Sequence, residues 1–249
     1  MSIKPMLFNT DMVRALQEGR KTVTRRLVKP RYSDSVFERF KGQLCEASPL
    51  REPERLEDGR TRRFVRRYVP CKPPCKEGDV LWVRETWQFI PCIDCGLDIN
   101  GICTDIPVIY EDKDSVGTGC FDYRADYPAA ERICWRPSIH MPKEAARLFL
   151  RVTAVRVERL QDITEEQAVM EGIFLDSPDF IPTYHYDESE CNMPGRGWNT
   201  ARECFLWGVW NSTVKPADLP LYGWEANPWV WVIAFEQTER PGGWPGEEI

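Results

Sequence analysis

Between Gly19 and Arg31 the chain carries Arg20, Lys21, Arg25, Arg26, Lys29 and Arg31, with no acidic residue among them. In a protein of net charge −6, such a local excess of cations calls for an anionic ligand or an acidic surface beside it. Thr22 and Thr24 stand among these cations, two residues apart and on one strand parity. A hydroxyl next to an amine is a nucleophile–base pairing, provided the amine is desolvated enough for its pKa to fall. The plainer reading is a solvated basic strand in which threonine is used for its β-propensity. Glu171 supplies an independent hint. It falls at the C-terminal end of a short helix, where the macrodipole disfavours an anion by about 0.3–1 kcal/mol. A carboxylate there is either well solvated or held by a cation such as Lys21.

Three further groups have types suited to chemistry. Arg84, Glu85 and Trp87 follow Gly78-Asp79 on one strand. Arg84 suits a phosphate and Trp87 a stacked base, against the alternative of a cross-strand Arg–Glu pair with a core tryptophan. Tyr123-Arg124 repeats the aromatic–cation pairing, again with an ordinary strand as the alternative. Cys71-x3-Cys75 and Cys92-x2-Cys95 have spacings used by tetrahedral zinc, with Cys103, Cys120 and Cys134 nearby. A structural zinc and plain burial both fit that pattern; a zinc there would staple an insertion rather than catalyse, and no cofactor is required. Only two histidines are present, which excludes a His-rich metal site.

These residues must be positioned by a small set of elements. Asn9-Thr10-Asp11 opens a helix with an apolar stripe at Met12, Val13 and Leu16, and Gly19 supplies its C′ stop. The basic segment therefore starts beside the negative end of that helix. Val80 to Trp87 reads as a strand. Leu148 to Val152 alternates with period two, and after Thr153 the apolar parity changes to Val155 and Val157, which predicts a bulge. Thr164 and Gln167 are spaced as a capping box, opening a helix that ends near Glu171-Gly172. Thr200 and Glu203 repeat the spacing for a helix through Trp207 and Trp210. Trp229 to Phe235 is apolar on both faces and suits a covered strand. Strands at both ends of the chain with short helices between them point to a small closed barrel.

The simplest partition is one α+β domain over residues 1–240, with insertions at about 32–70, 88–122 and 174–198 and a flexible tail at 241–249. A hairpin turn is expected at Asp58-Gly59 and a loop over 90–122. The 249-residue length and 42% hydrophobic content allow a sizeable core. The acidic net charge argues against a DNA-coating role, and no apolar run reaches the roughly 20 residues that span a bilayer. The start lacks a secretory pattern, so a cytoplasmic protein with mostly reduced thiols, and no membrane partner, is expected.

The order of a helix, Gly19-Arg20-Lys21-Thr22-Val23-Thr24, a Gly-Asp strand start, and a Thr-Glu-Glu-Gln-Ala helix closing on Glu171 resembles the ASCH family, relatives of the PUA barrel. Trp82-Val83-Arg84-Glu85-Thr86-Trp87 and Trp135-Arg136-Pro137-Ser138-Ile139-His140-Met141-Pro142 are similar to long ASCH proteins encoded by phages and prophages. The resemblance implies a PUA-like small β-barrel with flanking short helices and long insertions. Compact members include N4-acetylcytidine amidohydrolases that use a Lys, a Thr and a Glu, and Lys21, Thr24 and Glu171 match them. In that role Thr24 attacks or positions water, Lys21 is base and electrostatic stabiliser, and Glu171 orients or protonates. Arg20, Thr22, Arg25, Arg26, Arg84, Glu85, Trp87, Tyr123 and Arg124 would then contact the nucleotide. The implied partner is RNA, a nucleoside or a modified nucleic-acid base. Two other readings stand beside the amidohydrolase: a non-catalytic reader of RNA or modified DNA bases, and a phage assembly or host-interaction protein.

Overall fold

The computed structural model describes residues 1–31, 36–48, 54–56, 61–62, 67–91, 108–111, 116–127, 135–173 and 200–245. The strands of the first half are β1 (Ile3–Leu7), β2 (Val23–Leu27), β3 (Val36–Phe40), β4 (Gln43–Ala47), β5 (Glu54–Arg55), β6 (Thr61–Arg62) and β7 (Tyr68–Pro70). Those that follow are β8 (Val80–Arg84), β9 (Trp87–Pro91), β10 (Val108–Glu111), β11 (Val116–Tyr123), β12 (Phe149–Arg159) and β13 (Trp229–Thr238). Three helices matter for the site: α1 (Thr10–Gln17), α2 (Glu165–Met170) and α3 (Ala201–Glu203). The last continues as a π-helix over Cys204–Trp210.

The fold is mixed α+β and dominated by sheets. Its centre is a five-stranded sheet in the order β1-β8-β12-β13-β2, with β1 parallel to β8 and every other pair antiparallel. Alternation along β13 explains its doubly apolar sequence. Val230 and Val232 pack with Val23, Ile163, Phe205 and Trp210 on the α2 side. Ile233 and Phe235 pack with Phe8, Val13, Leu16 and Leu81 on the α1 side. The bulge expected after Thr153 is present, as a register shift between Val152 and Ala154.

The expected closed barrel is not formed among the described residues. β1 and β2 remain the two edges of the sheet, with no ladder between them. The sheet nevertheless curls until these edges face each other, and a side chain spans the opening: Arg26 Nη2 donates to the Leu7 carbonyl at 2.6 Å.

The helix ends follow from local chemistry. Asn9 caps α1 by accepting from Met12 N at 2.8 Å, and Gly19 takes φ +73° just beyond the helix. Thr164 and Gln167 close the capping box of α2 in both directions. Thr200 accepts from Glu203 N at 3.2 Å to start α3.

The insertions hold more structure than their composition suggests. β3, β4 and β7 form an antiparallel sheet whose first turn, Lys41-Gly42, has φ of +50° and +80°, the two left-handed positions of a type I′ hairpin. β5 and β6 pair antiparallel on either side of Asp58-Gly59, a turn that lies outside the described residues. The expected loop over 90–122 instead contains β10 and β11, which pair with each other and with β9. Gly119 shows why glycine occupies this strand: a Cβ there would lie 2.2 Å from the Ile90 carbonyl oxygen and 2.5 Å from the Phe89 ring. At the other end, Trp244 lies in the segment expected to be a flexible tail, yet it is 7% exposed. It packs on Trp82 and Phe149 and donates from Nε1 to Lys143 O at 2.9 Å. The insertion at 174–198 lies outside the described residues.

Candidate functional site

Lys21 sits in the turn between α1 and β2 and is clamped from both sides. Its own N–H donates to Ala15 O on α1 at 3.0 Å, and the next N–H, from Thr22, donates to Met170 O on α2 at 2.9 Å. That second contact makes Lys21 and Glu171 an antiparallel bridge pair, although 150 residues separate them. Gly172 allows the approach. It holds φ +98°, and a Cβ on it would lie 2.7 Å from Ala15 Cβ and 3.3 Å from Lys21 Cβ.

The Lys21 amine donates to Glu171 Oε2 at 2.7 Å and to the Glu171 carbonyl at 2.8 Å. It thereby caps the C-terminal end of α2 with positive charge. Arg25 Nη1 donates to the other carboxylate oxygen, Oε1, at 3.0 Å. Arg25 Nη2 donates to Glu158 Oε1 at 2.7 Å and to Gln167 Oε1 at 2.6 Å. The Lys21 and Arg25 side chains are fully shielded from solvent and that of Glu171 nearly so. Thr24 lies on β2 at 2% exposure, opposite Ile233 in the neighbouring strand. The anion at the helix end is therefore held by two cations in a dry setting.

Burial pushes the Lys21 ammonium toward its neutral form; Glu171 opposes this, while Arg26 and Arg25 add to it. Arg26 occupies the same face of β2 as Thr24. Its guanidinium lies 5.2 Å from the Phe8 ring centroid, and the Lys21 amine lies 6.0 Å from the same ring. The Arg26 Nε–H is buried and has no acceptor among the described residues.

The remaining basic-segment residues diverge. Arg20 donates to Gly172 O at 2.6 Å and pairs with Glu18, bracing the bridge from outside. Thr22 is exposed despite sharing the sequence parity of Thr24, because β2 begins only at Val23.

The second group does not join this cluster. Arg84 donates to the Ile139 carbonyl and lies over Trp82. Glu85 is 1% exposed and held in a fork by Arg147, at 2.9 Å to each oxygen. Burial raises the Glu85 pKa, with Arg147 opposing. Trp87 is 0% exposed, ringed by Tyr110, Phe121 and Arg136, so it presents no open face for a base. Tyr123 donates to Ala145 O at 2.6 Å beneath the Arg147 guanidinium, and Arg124 lies over Trp135. These contacts are internal. They join the Trp82–Trp87 motif to the Trp135–Pro142 motif: Trp87 and Arg136 exchange backbone hydrogen bonds at 3.2 and 2.7 Å, and Glu85 N donates to Met141 Sδ at 3.1 Å.

Sequence reasoning missed Glu158, Gln167 and Phe8 at the site. Gln167 was visible only as a helix cap, and Glu158 lies past the bulge, where strand parity no longer reports the face. For the thiols, Cys71 is partly buried and Cys75 is buried, and neither is disulfide-bonded. Cys92, Cys95, Cys103 and Cys134 lie outside the described residues. Among the described residues no three metal-ligating side chains cluster, and no helix is long and apolar enough to cross a membrane.

No family model, no curated protein and no solved structure matches the chain. The ASCH resemblance rests on its motif residues and their order.

Proposed function

We propose that the chain is an ASCH-type, PUA-like protein that binds a nucleobase-bearing ligand and hydrolyses an acyl amide on it, as on N4-acetylcytidine, through Lys21, Thr24 and Glu171. One observation carries the reading. Lys21 and Glu171, remote in sequence, meet at 2.7 Å in a buried site two residues before the strand that bears Thr24. A lysine kept out of water, with its proton held less firmly than usual, is suited to act as a base.

In the proposed reaction Lys21, once neutral, takes the proton of the Thr24 hydroxyl as Oγ1 adds to the acyl carbon. The C–N bond then breaks, and the exocyclic nitrogen leaves with a proton delivered from the lysine. Water, activated by the same amine, cleaves the resulting ester to release a carboxylic acid and restore the threonine. Glu171 holds the amine in place throughout, and Arg25 fixes Glu171. If Thr24 positions water instead, Lys21 takes the water's proton as its oxygen adds to the acyl carbon, the C–N bond breaks with that proton passed to the leaving nitrogen, and no ester forms.

A non-catalytic reader of RNA or modified bases is the second reading. It is favoured by the closure of the cluster, in which both Glu171 oxygens already have donors. Incubation of the purified protein with N4-acetylcytidine and related acylated nucleosides separates the two. The amidohydrolase releases free nucleoside, and Lys21→Ala lowers the rate by about 100-fold or more. Absence of turnover by the wild type, or undiminished turnover by Lys21→Ala, overturns the hydrolytic reading.

A further inference from the structure

Farther along β2 and β13, on the face that carries Thr24 and Arg26, lies an open pocket of ≈ 310 Å³. Its wall includes Arg26, Lys29, Arg31, Lys72, Glu46 and Trp231. Four of these side chains are cationic and one is acidic. The single acid is already engaged: Glu46 Oε1 accepts from Arg31 N at 2.6 Å, and its other oxygen lies 3.8 Å from Arg31 Nε. Lys29 and Lys72 are exposed and have no ion-pair partner among the described residues. Arg26 also lines the pocket, its Nη2 donating to the Leu7 carbonyl at 2.6 Å. The pocket therefore holds positive charge that the described residues do not neutralise, beside the partly buried indole of Trp231.

We infer that this pocket is a phosphate-binding subsite for a nucleotide, with Lys29, Lys72 and Arg26 receiving the phosphate and Trp231 forming the wall against which the base or ribose rests. The volume is at the lower end of ligand pockets, about 300–1,000 Å³, which suits one nucleotide unit. Phosphate is the anion for which several convergent Lys and Arg donors are used, and aromatic walls accept bases regardless of sequence. Glu46 comes from the insertion at about 32–70, and Lys72 lies just beyond its last strand, β7. The subsite thus joins the end of the basic segment, at Arg26 and Lys29, to residues in and just after the first insertion. Arg26 belongs to both regions, lining the pocket while packing on the Phe8 ring that the Lys21 amine also approaches. The inference rests on the proposed nucleobase-ligand reading and specifies it: the ligand carries a 5′-phosphate, as a free nucleotide or as a unit of single-stranded RNA.

The test is a calorimetric titration at low salt with cytidine, cytidine 5′-monophosphate and a short oligocytidylate. Expected is binding of the monophosphate about tenfold tighter than cytidine, lost in the Lys29→Ala/Lys72→Ala double variant. Both lysines are exposed, so the variant folds, and circular dichroism checks that it has. Inorganic phosphate competes with the monophosphate. Tighter binding of the oligonucleotide, with a salt slope that falls by about 1–2 in the double variant, assigns the source to an RNA strand; equal binding assigns it to a free nucleotide. No gain from the phosphate, or a gain that survives the double substitution, overturns the inference. The two failures are distinguishable. Turnover of acylated cytidine without phosphate dependence removes only the subsite; phosphate-dependent binding without turnover removes only the hydrolytic reading.

Discussion

Glu171 is the counter-charge for two buried cations, and its removal leaves the Lys21 amine without its carboxylate. Breaking such a pair from one side costs about 3–5 kcal/mol, because the remaining charge stays in a dry site. Glu171→Ala should therefore lower unfolding stability by that order in urea titrations. Lys21→Met should cost less, since Arg25 still holds the carboxylate. The pH dependence has a definite sign. Burial places the folded-state pKa of Lys21 below its ordinary 10.5, so between the two values the unfolded chain binds more protons than the folded one. Stability of the wild type relative to Lys21→Met should then rise with pH across that window. Thermal melts of both proteins in parallel give the difference directly; a flat or falling difference contradicts a lysine whose pKa burial has lowered.

At the scale of elements, the bridge between Lys21 and Glu171 depends on two helix ends and one glycine. Gly172→Ala would put a Cβ against Ala15 and Lys21 at a positive φ. The strain and clash together should destabilise by about 1–3 kcal/mol and separate Lys21 from Glu171, so any turnover should fall with stability. Retained wild-type stability in this variant would contradict the close approach of α1, β2 and α2. These elements were legible in the sequence because their signals are local. Asn9, Gly19 and the Thr164–Gln167 box mark helix ends by hydrogen bonds to their own turns, and the parity change after Thr153 marks the bulge within one strand. Long-range partnerships left no such signal. The roles of Glu158 and Gln167 toward Arg25 arise only when β12 and α2 pack beside β2. The Glu85–Arg147 fork likewise joins residues 62 positions apart. Trp87 stayed open between a stacked base and the core for a related reason: tryptophan in a strand reads alike whether β10 and β11 cover it, as they do, or solvent does.

For the whole molecule, the edges of the central sheet meet through Arg26 rather than through a backbone ladder, and the sheet of β9, β10 and β11 that packs on it comes largely from a segment that reads as a loop. Glycines at 117 and 119 hid β11: at 119 the strand passes so close to Ile90 and Phe89 that there is no room for a side chain, and at 117 the backbone takes φ +135°. The chain end is part of the core at least as far as Trp244. Trp244→Ala should cost about 3 kcal/mol or more, measured by denaturant unfolding; a loss under 1 kcal/mol, about what an exposed tail would give, contradicts that docking. The central claim is that the Thr24 hydroxyl works together with the Lys21 amine. Its most direct measurement is the rate of N4-acetylcytidine hydrolysis by the wild type, Thr24→Ser and Thr24→Ala. The account predicts turnover by the first two and loss of about 100-fold or more in the third. Equal rates in Thr24→Ala and the wild type, or no cytidine released by any of the three, would contradict it.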